Sequence, residues 1–299
     1  MVNRLSTDKR AAVLNCLVEG MSMRSTSRIL GVNMHTIKRL LVLGGIATQD
    51  YHDTHVRDLT PAFVQCDELW SFVYSHERRL PLAKAAPPGA GNVWTWVAFD
   101  SESKMMLCWL AGSRELDTAI PFFWDLRRRL KPGHRFQLST DRYRAYGKAV
   151  REVFGNELDY GQLLKSYREV RVASGGKMQV VEAIRERAVG GQPETARIST
   201  SHVERQNLNI RMGLRRYTRK TNGFSKKLSR HRAALSLFAA YYNFCRIHLA
   251  LDTTPAVAAG VAPEPYPVRW LAELVASIEA PHPPRGPDKR PRKRRRTSR

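Results

Sequence analysis

Four apolar segments of strand length and one helix-like segment follow one another in an order that few folds share. The strand-like segments cover residues 63–74, 93–99, 104–111 and 135–140, and the helix-like segment covers residues 116–130. Short apolar runs are typical of strands, whereas apolar residues three and four apart indicate a helix. Three strands, a helix and a fourth strand therefore predict an α/β fold, a mixed sheet flanked by helices.

Two of these strands carry an acidic residue in a distinctive context. Asp67 lies in Val-Gln-Cys-Asp-Glu-Leu-Trp-Ser-Phe-Val, and Asp141 follows Leu-Ser-Thr at the end of the fourth strand. A third acid, Glu204, lies in Ser-His-Val-Glu-Arg-Gln-Asn, where a basic, helix-like segment begins. Carboxylates are the preferred ligands of Mg²⁺, and two such ions about 3.5 to 4 Å apart can assist phosphodiester chemistry. The three acids are candidate metal ligands of a phosphoryl-transfer site.

The charge of the chain predicts a polyanionic partner. In 299 residues, 50 Lys and Arg oppose 27 Asp and Glu, which gives a net charge of +23. Basic side chains that meet phosphates release condensed counterions, so nucleic acid is the expected partner. A hydrophobic fraction of 42% is more than a histone-like binder needs. No apolar run approaches the ~18 residues of a membrane span, so we expect a soluble, cytoplasmic, nucleoid-associated protein without a membrane partner.

The N-terminal segment predicts a small all-α domain at residues 1–45. Its last two helix-like segments, 22–30 and 34–42, flank Gly31-Val32-Asn33, which resembles a helix-turn-helix. A plain three-helix packing module has similar spacing. In the DNA-binding interpretation, the exposed face of the recognition helix consists of Asn33, His35, Thr36, Lys38 and Arg39.

The remaining boundaries follow from composition. Gly44, Gly45 and the charged stretch after them predict a linker at residues 46–62. A catalytic domain is expected at residues 63–262, and its segment 165–198 lacks clear periodicity, which predicts a loop or insertion. A C-terminal helix is expected at residues 263–280, and the Pro- and Arg-rich tail at residues 281–299 predicts disorder.

The blocks around the three acids resemble the DDE transposases of bacterial insertion sequences, closest to the insertion-sequence-one family. The most specific block is Val-Glu-Arg-Gln-Asn-Leu-Asn-Ile-Arg, followed by Arg-Lys-Thr-Asn-Gly-Phe-Ser-Lys at residues 219–226. The resemblance covers roughly residues 63–246. It implies a ribonuclease-H-like fold, DNA cleavage and strand transfer, and two Mg²⁺ or Mn²⁺ ions held by Asp67, Asp141 and Glu204. It also places Arg211 at the family's basic position.

The segment after Glu204 is strongly basic. Arg211 follows Glu204 by seven residues, close to two turns at ~3.6 residues per turn, so both lie on one helical face. Its guanidinium can hold a DNA phosphate there, although a surface Arg on a basic helix has the same pattern. Residues 204–232 contain ten Lys or Arg and one acid, which predicts a track along the DNA backbone. The residues expected to form it are Arg205, Arg215, Arg216, Arg219 and Lys220.

Two neighbours of Asp67 have simpler interpretations. Glu68 is adjacent on a strand, so its side chain is expected on the opposite face, where it is a poor metal ligand. Trp70 is expected in the core.

Several alternatives stay open from the sequence. The expected substrate is double-stranded DNA, as element ends and as target, and holding two ends together predicts a homodimer or larger assembly. A metal-dependent nuclease of the same fold, without strand transfer, would need the same acids. A non-catalytic DNA-binding regulator derived from a transposase would not need them. The chain also departs from compact relatives, because it has a helix-turn-helix pattern where they carry a zinc-binding module.

Overall fold

Six strands form one mixed sheet in the computed structural model, which describes residues 5–171 and 176–279. The elements in chain order are α1 (Thr7–Val18), α2 (Met23–Leu30), α3 (Met34–His55), β1 (Phe63–Val73), β2 (Gly91–Asp100), β3 (Met106–Gly112), α4 (Leu116–Arg129), β4 (Gln137–Asp141), α5 (Arg144–Phe154), β5 (Asp159–Arg171), β6 (Lys177–Gly190), α6 (Ser201–Gly213), α7 (Leu228–Ala240), α8 (Pro255–Ala258) and α9 (Arg269–Ile278). The π-helical turn Tyr241–Cys245 extends α7.

The order of the strands is β3-β2-β1-β4-β5-β6. β1, β2 and β3 form an antiparallel meander, β4 and β5 run parallel to β1, and β6 returns antiparallel to β5. Because β4 is parallel to β1, the chain must cross the sheet, and α4 makes that connection. The first five strands have the ribonuclease-H-like arrangement predicted from the sequence, so the predicted fold class is confirmed.

Helices cover both faces of the sheet, and strand alternation assigns each side chain to a face. Leu69 of β1 packs in one hydrophobic cluster with α6, α7 and the N-terminal helices. Cys66 of β1 packs in a second cluster with α4 and α5. Odd-numbered residues in this part of β1 therefore face α6 and α7, which sets the side on which Asp67 lies.

The three expected N-terminal helices are present, and α2 and α3 meet at 119°. The turn between them depends on Gly31, whose φ of 64° is left-handed, and Asn33 caps α3 by accepting the His35 amide at 2.8 Å. These helices share their core with the rest of the chain. Leu14 and Ile37 belong to the same buried cluster as residues of α7 and the sheet.

The linker expected at residues 46–62 is wrong over its first part, because α3 continues to His55. The Gly pair that suggested flexibility is a helix packing contact. A Cβ at Gly45 would lie 2.4 Å from the Cα of Ala233 in α7. The glycines are needed because α3 and α7 approach closely, so no turn forms there.

The loop expected at residues 165–198 is also wrong over most of its length. β5 runs to Arg171, and β6 covers Lys177–Gly190 as its antiparallel partner. β5 is buried only near its start, and every residue of β6 except Ala183 and Gly190 is exposed. A hairpin with solvent on both faces needs no alternation of apolar residues, so the sequence lacks the usual strand signal.

The C-terminal helix expected at residues 263–280 is present as the shorter α9, and the tail at residues 281–299 lies outside the described residues. Over the described ranges, no single helix is long and apolar enough to cross a membrane. The bent pair α2 and α3 meets the length and composition requirement only when its two helices are taken together.

The contact at Gly45 can be tested with two alanine substitutions in one helix. Gly45→Ala places a methyl group against the α7 backbone, so we expect the free energy of unfolding to fall by about 1–3 kcal/mol. Gly44→Ala meets only the side-chain ends of Leu237 and Leu14, at 3.2 and 3.3 Å, which can shift. Both changes gain about 1 kcal/mol of helix propensity. Urea unfolding should separate the two variants, and equal stability would contradict the close packing.

Candidate active site

Strand pairing brings Asp67 and Asp141 together. Gln65 pairs with Ser139 where β1 and β4 run parallel, and the same offset two residues later sets Asp67 level with Asp141. Paired residues of neighbouring strands point to the same face, and adjacent strands lie about 4.8 Å apart. Both carboxylates therefore lie on the α6 side of the sheet.

α6 is fixed over this face by two contacts to β1. The Gln65 side-chain oxygen accepts the amides of His202 and Val203, at 2.9 and 3.1 Å, in the first turn of α6. One turn later the Asn207 amide donates to the Asp67 carboxylate at 2.7 Å. Since Glu204 lies between these contacts on α6, the helix carries it to the same region.

Lys165 brings a positive charge to this group. It follows Leu163, the partner of Asp141 in the β4–β5 pairing, by two residues and so shares the face of Asp141. Its ammonium forms an ion pair with Glu204, whose carboxylate also accepts the Thr200 hydroxyl at 2.6 Å. Burial opposes the charged form of Lys165, but the hydrogen bond and charge of Glu204 raise its pKa above the ordinary value.

The carboxylates share an unfavourable environment. Burial raises the pKa of Asp67 to about 7, with further increases from the charges of Glu68, Asp141 and Glu204. Burial also raises the pKa of Asp141, although its oxygen accepts the Tyr143 amide at 2.8 Å. Mutual repulsion shows that the acids lie within electrostatic reach of one another. The site holds more negative charge than Lys165 alone neutralises.

A hard divalent cation suits these donors by chemistry, because the three carboxylates supply oxygen ligands. Among residues 5–171 and 176–279, no three His, Cys, Asp or Glu side chains converge on a single ion position. Glu204 is turned towards Lys165 and Thr200. Its side chain is 45% exposed, so rotation towards Asp67 and Asp141 would not have to open a packed core. The donor set fits Mg²⁺ or Mn²⁺, and ion binding would require this rotation.

Glu68 lies on the opposite face, as expected. Its carboxylate accepts the Arg114 guanidinium and the Tyr146 hydroxyl, each at 2.7 Å, within the layer that contains α5. Arg114 lies over the rings of Trp94 and Tyr143, 4.3 and 4.2 Å from their centroids. These contacts hold the buried Glu68 carboxylate in a structural role and leave it unsuited to metal binding.

The basic residues after Glu204 divide into two groups. Arg211 donates to the carbonyls of Trp70 and Tyr217, at 3.3 and 3.5 Å, and burial lowers its pKa. Arg216 turns inward and donates to Ser225 at 2.9 Å, and burial lowers its pKa to about 10. Both anchor the segment after α6. The second group consists of four residues that are exposed and were predicted to contact DNA: Arg205, Arg215, Arg219 and Lys220.

The predicted recognition residues lie at the start of α3. Asn33, His35 and Arg39 are exposed, and Thr36 and Lys38 are partly exposed. The Arg39 guanidinium forms an ion pair with Glu279 at 2.8 Å, so the end of α9 holds one of these side chains. The other four remain accessible, wholly or in part, at the start of α3.

Sequence reasoning missed the polar residues that support the acids. Asn207 lies in the block quoted around Glu204, and its spacing of three residues from Glu204 on a helix was an available signal. Gln65 precedes Asp67 by two residues on a strand and therefore shares its face. Lys165 had no sequence signal, because it lies in the segment interpreted as a loop.

Comparisons with known proteins give weak similarities only. No family model matches the sequence, and no curated protein matches it. A pre-cleavage Mos1 transpososome matches with 12% identity and a TM-score of 0.22, over 54% of this chain and 60% of that one. The Mos1 Strand Transfer Complex matches with 14% identity and a TM-score of 0.21, over 51% and 56%. The chain thus spans less than two thirds of each. Matches this weak do not support a function, which must be argued from the site.

The raised pKa of Asp67 predicts a pH-dependent stability. The unfolded chain ionises near pH 3.8 and the folded chain near pH 7, so the unfolded state loses its proton first. Stability from this group therefore falls as pH rises from about 4 to 7, by about 1.4 kcal/mol per pKa unit at most. We expect the free energy of unfolding of Asp67→Asn to exceed that of wild type by about 1–4 kcal/mol at pH 8. At pH 4 the two values should differ little.

This comparison requires chelator in both samples, because a bound cation would favour ionised Asp67. Asp50→Asn, at an exposed position of α3, is the matched control and should leave the free energy of unfolding unchanged at both pH values. Parallel stability curves for wild type and Asp67→Asn from pH 4 to 8 would show that Asp67 does not carry the raised pKa.

Proposed function

We propose that the protein is a transposase that cleaves DNA and transfers its strands by metal-dependent phosphoryl transfer. The observation that carries the proposal is the placement of Asp67, Asp141 and Glu204 on one face, two by strand register and one by α6. Their order along the chain and their elements agree with the sequence resemblance. The exposed basic segment beside them provides a surface for a polyanion.

In this proposal, Asp67, Asp141 and Glu204 hold two Mg²⁺ or Mn²⁺ ions. Such ions, when bound, activate the attacking oxygen and stabilise the leaving 3′ oxygen. Release of Glu204 would leave the Lys165 ammonium free to contact a phosphate oxygen. Asn207 orients Asp67 through its amide, and Gln65 fixes the start of α6. Hydrolysis exposes a 3′ hydroxyl at an element end, and that hydroxyl then attacks target DNA.

In this proposal, DNA also contacts two parts of the chain outside the group of acids. Arg215, Arg219 and Lys220 are exposed on the segment after α6, and the start of α3 offers Asn33 and His35 to a groove. Two element ends must be joined to one target in a single reaction. The protein is therefore proposed to act as a homodimer or larger assembly, in the cytoplasm at the nucleoid.

The catalytic proposal is tested with labelled duplex DNA that carries the element ends, in Mg²⁺. Wild type should produce nicked DNA and joined products. Glu204→Gln should lose both by at least about 100-fold, because removing one charged transition-state contact typically costs this much, while DNA binding persists. Glu152→Gln, exposed on α5, is the matched control.

Cleavage that survives in Glu204→Gln would refute the assignment of the acids. Nicked DNA without any joined product, at every target concentration, would favour a nuclease of the same fold.

The basic segment makes a separate prediction about salt. Each phosphate contact contributes about 0.9 to the slope of log affinity against log salt concentration. We expect the double variant Arg219→Ala, Lys220→Ala to reduce this slope by about 2, measured by fluorescence anisotropy from 50 to 200 mM salt. Arg151→Ala, exposed on α5, should leave the slope unchanged. An unchanged slope in the double variant would place the DNA elsewhere.

A further inference from the structure

A cleft of about 920 Å³ lies beside the second half of β1. β4 pairs with β1 only up to Gln65 and ends at Asp141, level with Asp67. β2 occupies the other edge of β1 as far as Val73. The bridge between Val73 and Ser225 must therefore lie on the β4 edge, and the cleft opens between that bridge and the end of β4.

The far wall of the cleft is held by hydrogen bonds. Ser225 accepts the Tyr74 amide through its carbonyl at 2.7 Å, and its hydroxyl contacts Arg216 at 2.9 Å. The buried ring of His231 joins the hydroxyls of Ser225 and Ser71, at 3.2 and 3.0 Å. Burial lowers the pKa of His231 to about 3, so the ring bridges them as the neutral form. The cleft exists before any ligand enters.

Aromatic rings line one side of the cleft. Trp70 and Phe72 project from β1, and His76 stacks on both, with ring centroids 5.4 and 4.0 Å away. Phe224 from the opposite wall lies 4.8 Å from Phe72. Trp70 is only partly buried, so its expected place in the core is wrong. β1 leaves the sheet pairing with β4 here, and its side chains reach solvent on that edge.

Cations surround these rings. Arg79, Arg215, Arg219 and Lys220 are exposed and line the cleft, and its described lining contains no Asp or Glu. Partly exposed rings next to cations combine two preferences, one for flat apolar faces and one for negative charge. A nucleotide carries both, because every base presents a π-face beside its phosphate.

We propose that this cleft binds an unpaired nucleotide of the DNA, with its base stacked on Trp70 and Phe72. A base inside a duplex already stacks on its neighbours, so only an extrahelical or single-stranded base can enter. Trp70 follows Asp67 by three residues on β1, so its side chain projects from the opposite face of the strand, and the open edge of β1 gives access to it. The inference rests on the proposed function in taking DNA as the ligand.

Binding can be measured separately from cleavage. The full chain with Asp141→Asn, in chelator, is titrated with three duplexes of one length and sequence: fully paired, with one bulged adenine, and with an abasic residue at the bulge. The abasic duplex keeps the bend and the phosphate and removes only the base. Stacking on aromatic side chains predicts that the adenine bulge binds about 5- to 100-fold more tightly than the other two.

Trp70→Leu on this background should remove the preference and keep the affinity for the paired duplex, which also reports that the variant is folded. Trp124→Leu, an equally simple loss of an exposed Trp on α4, should keep the preference. Phe224→Leu provides a second test from the other wall and should weaken the preference. A 2-aminopurine base in the bulge should lose fluorescence on binding only where Trp70 is present.

Equal affinities for the adenine and abasic bulges would overturn the inference and leave the cleft as part of the phosphate track. A preference that survives both Trp70→Leu and Phe224→Leu would place the base elsewhere. Neither result depends on cleavage. Failure of the proposed function would instead appear as wild-type protein that binds DNA and never cuts it in Mg²⁺.

Discussion

Electrostatic repulsion among three carboxylates is the constraint around which this protein is organised. Parallel pairing of β1 with β4 brings Asp67 and Asp141 to one level, and α6 adds Glu204. Burial and like charge make ionisation of Asp67 unfavourable, as its raised pKa shows. Nothing in core packing favours such a group. It persists because the sheet and the helices around it are stabilised by other contacts, which is typical of functional sites.

Three side chains around the acids hold them in place, each by a different contact. Lys165 supplies a positive charge to Glu204, Asn207 supplies a donor to Asp67, and Gln65 fixes the helix that joins the two. Lys165 and a divalent cation would compete for Glu204. Binding of the ion and pairing of Lys165 with Glu204 are therefore linked equilibria, and each would weaken the other.

Much of the fold could be predicted, because the sheet has buried faces that impose a pattern on the sequence. Asp67 and Asp141 could be found for a related reason, since both lie in or at the end of buried strands. The exposed β5–β6 hairpin imposes no such pattern. Lys165 lies in that hairpin, so its place beside the acids could not be predicted either. Gly44 and Gly45 are ambiguous in a sequence. A flexible linker and a close contact between helices both need small residues, and only the position of Ala233 distinguishes them.

The continuity of α3 affects the spacing between a recognised DNA sequence and the cut. Its 22 residues span about 33 Å without a break. Asn33 lies at one end, Gly45 is held against α7 in the middle, and Asp53 is bound by Arg129 of α4 near the other end. If the first turn reads DNA, the recognition residues belong to a helix that is packed rigidly on the core of the protein. The number of base pairs between a recognised sequence and the cut is then fixed, whereas a flexible linker at residues 46–62 would leave it variable.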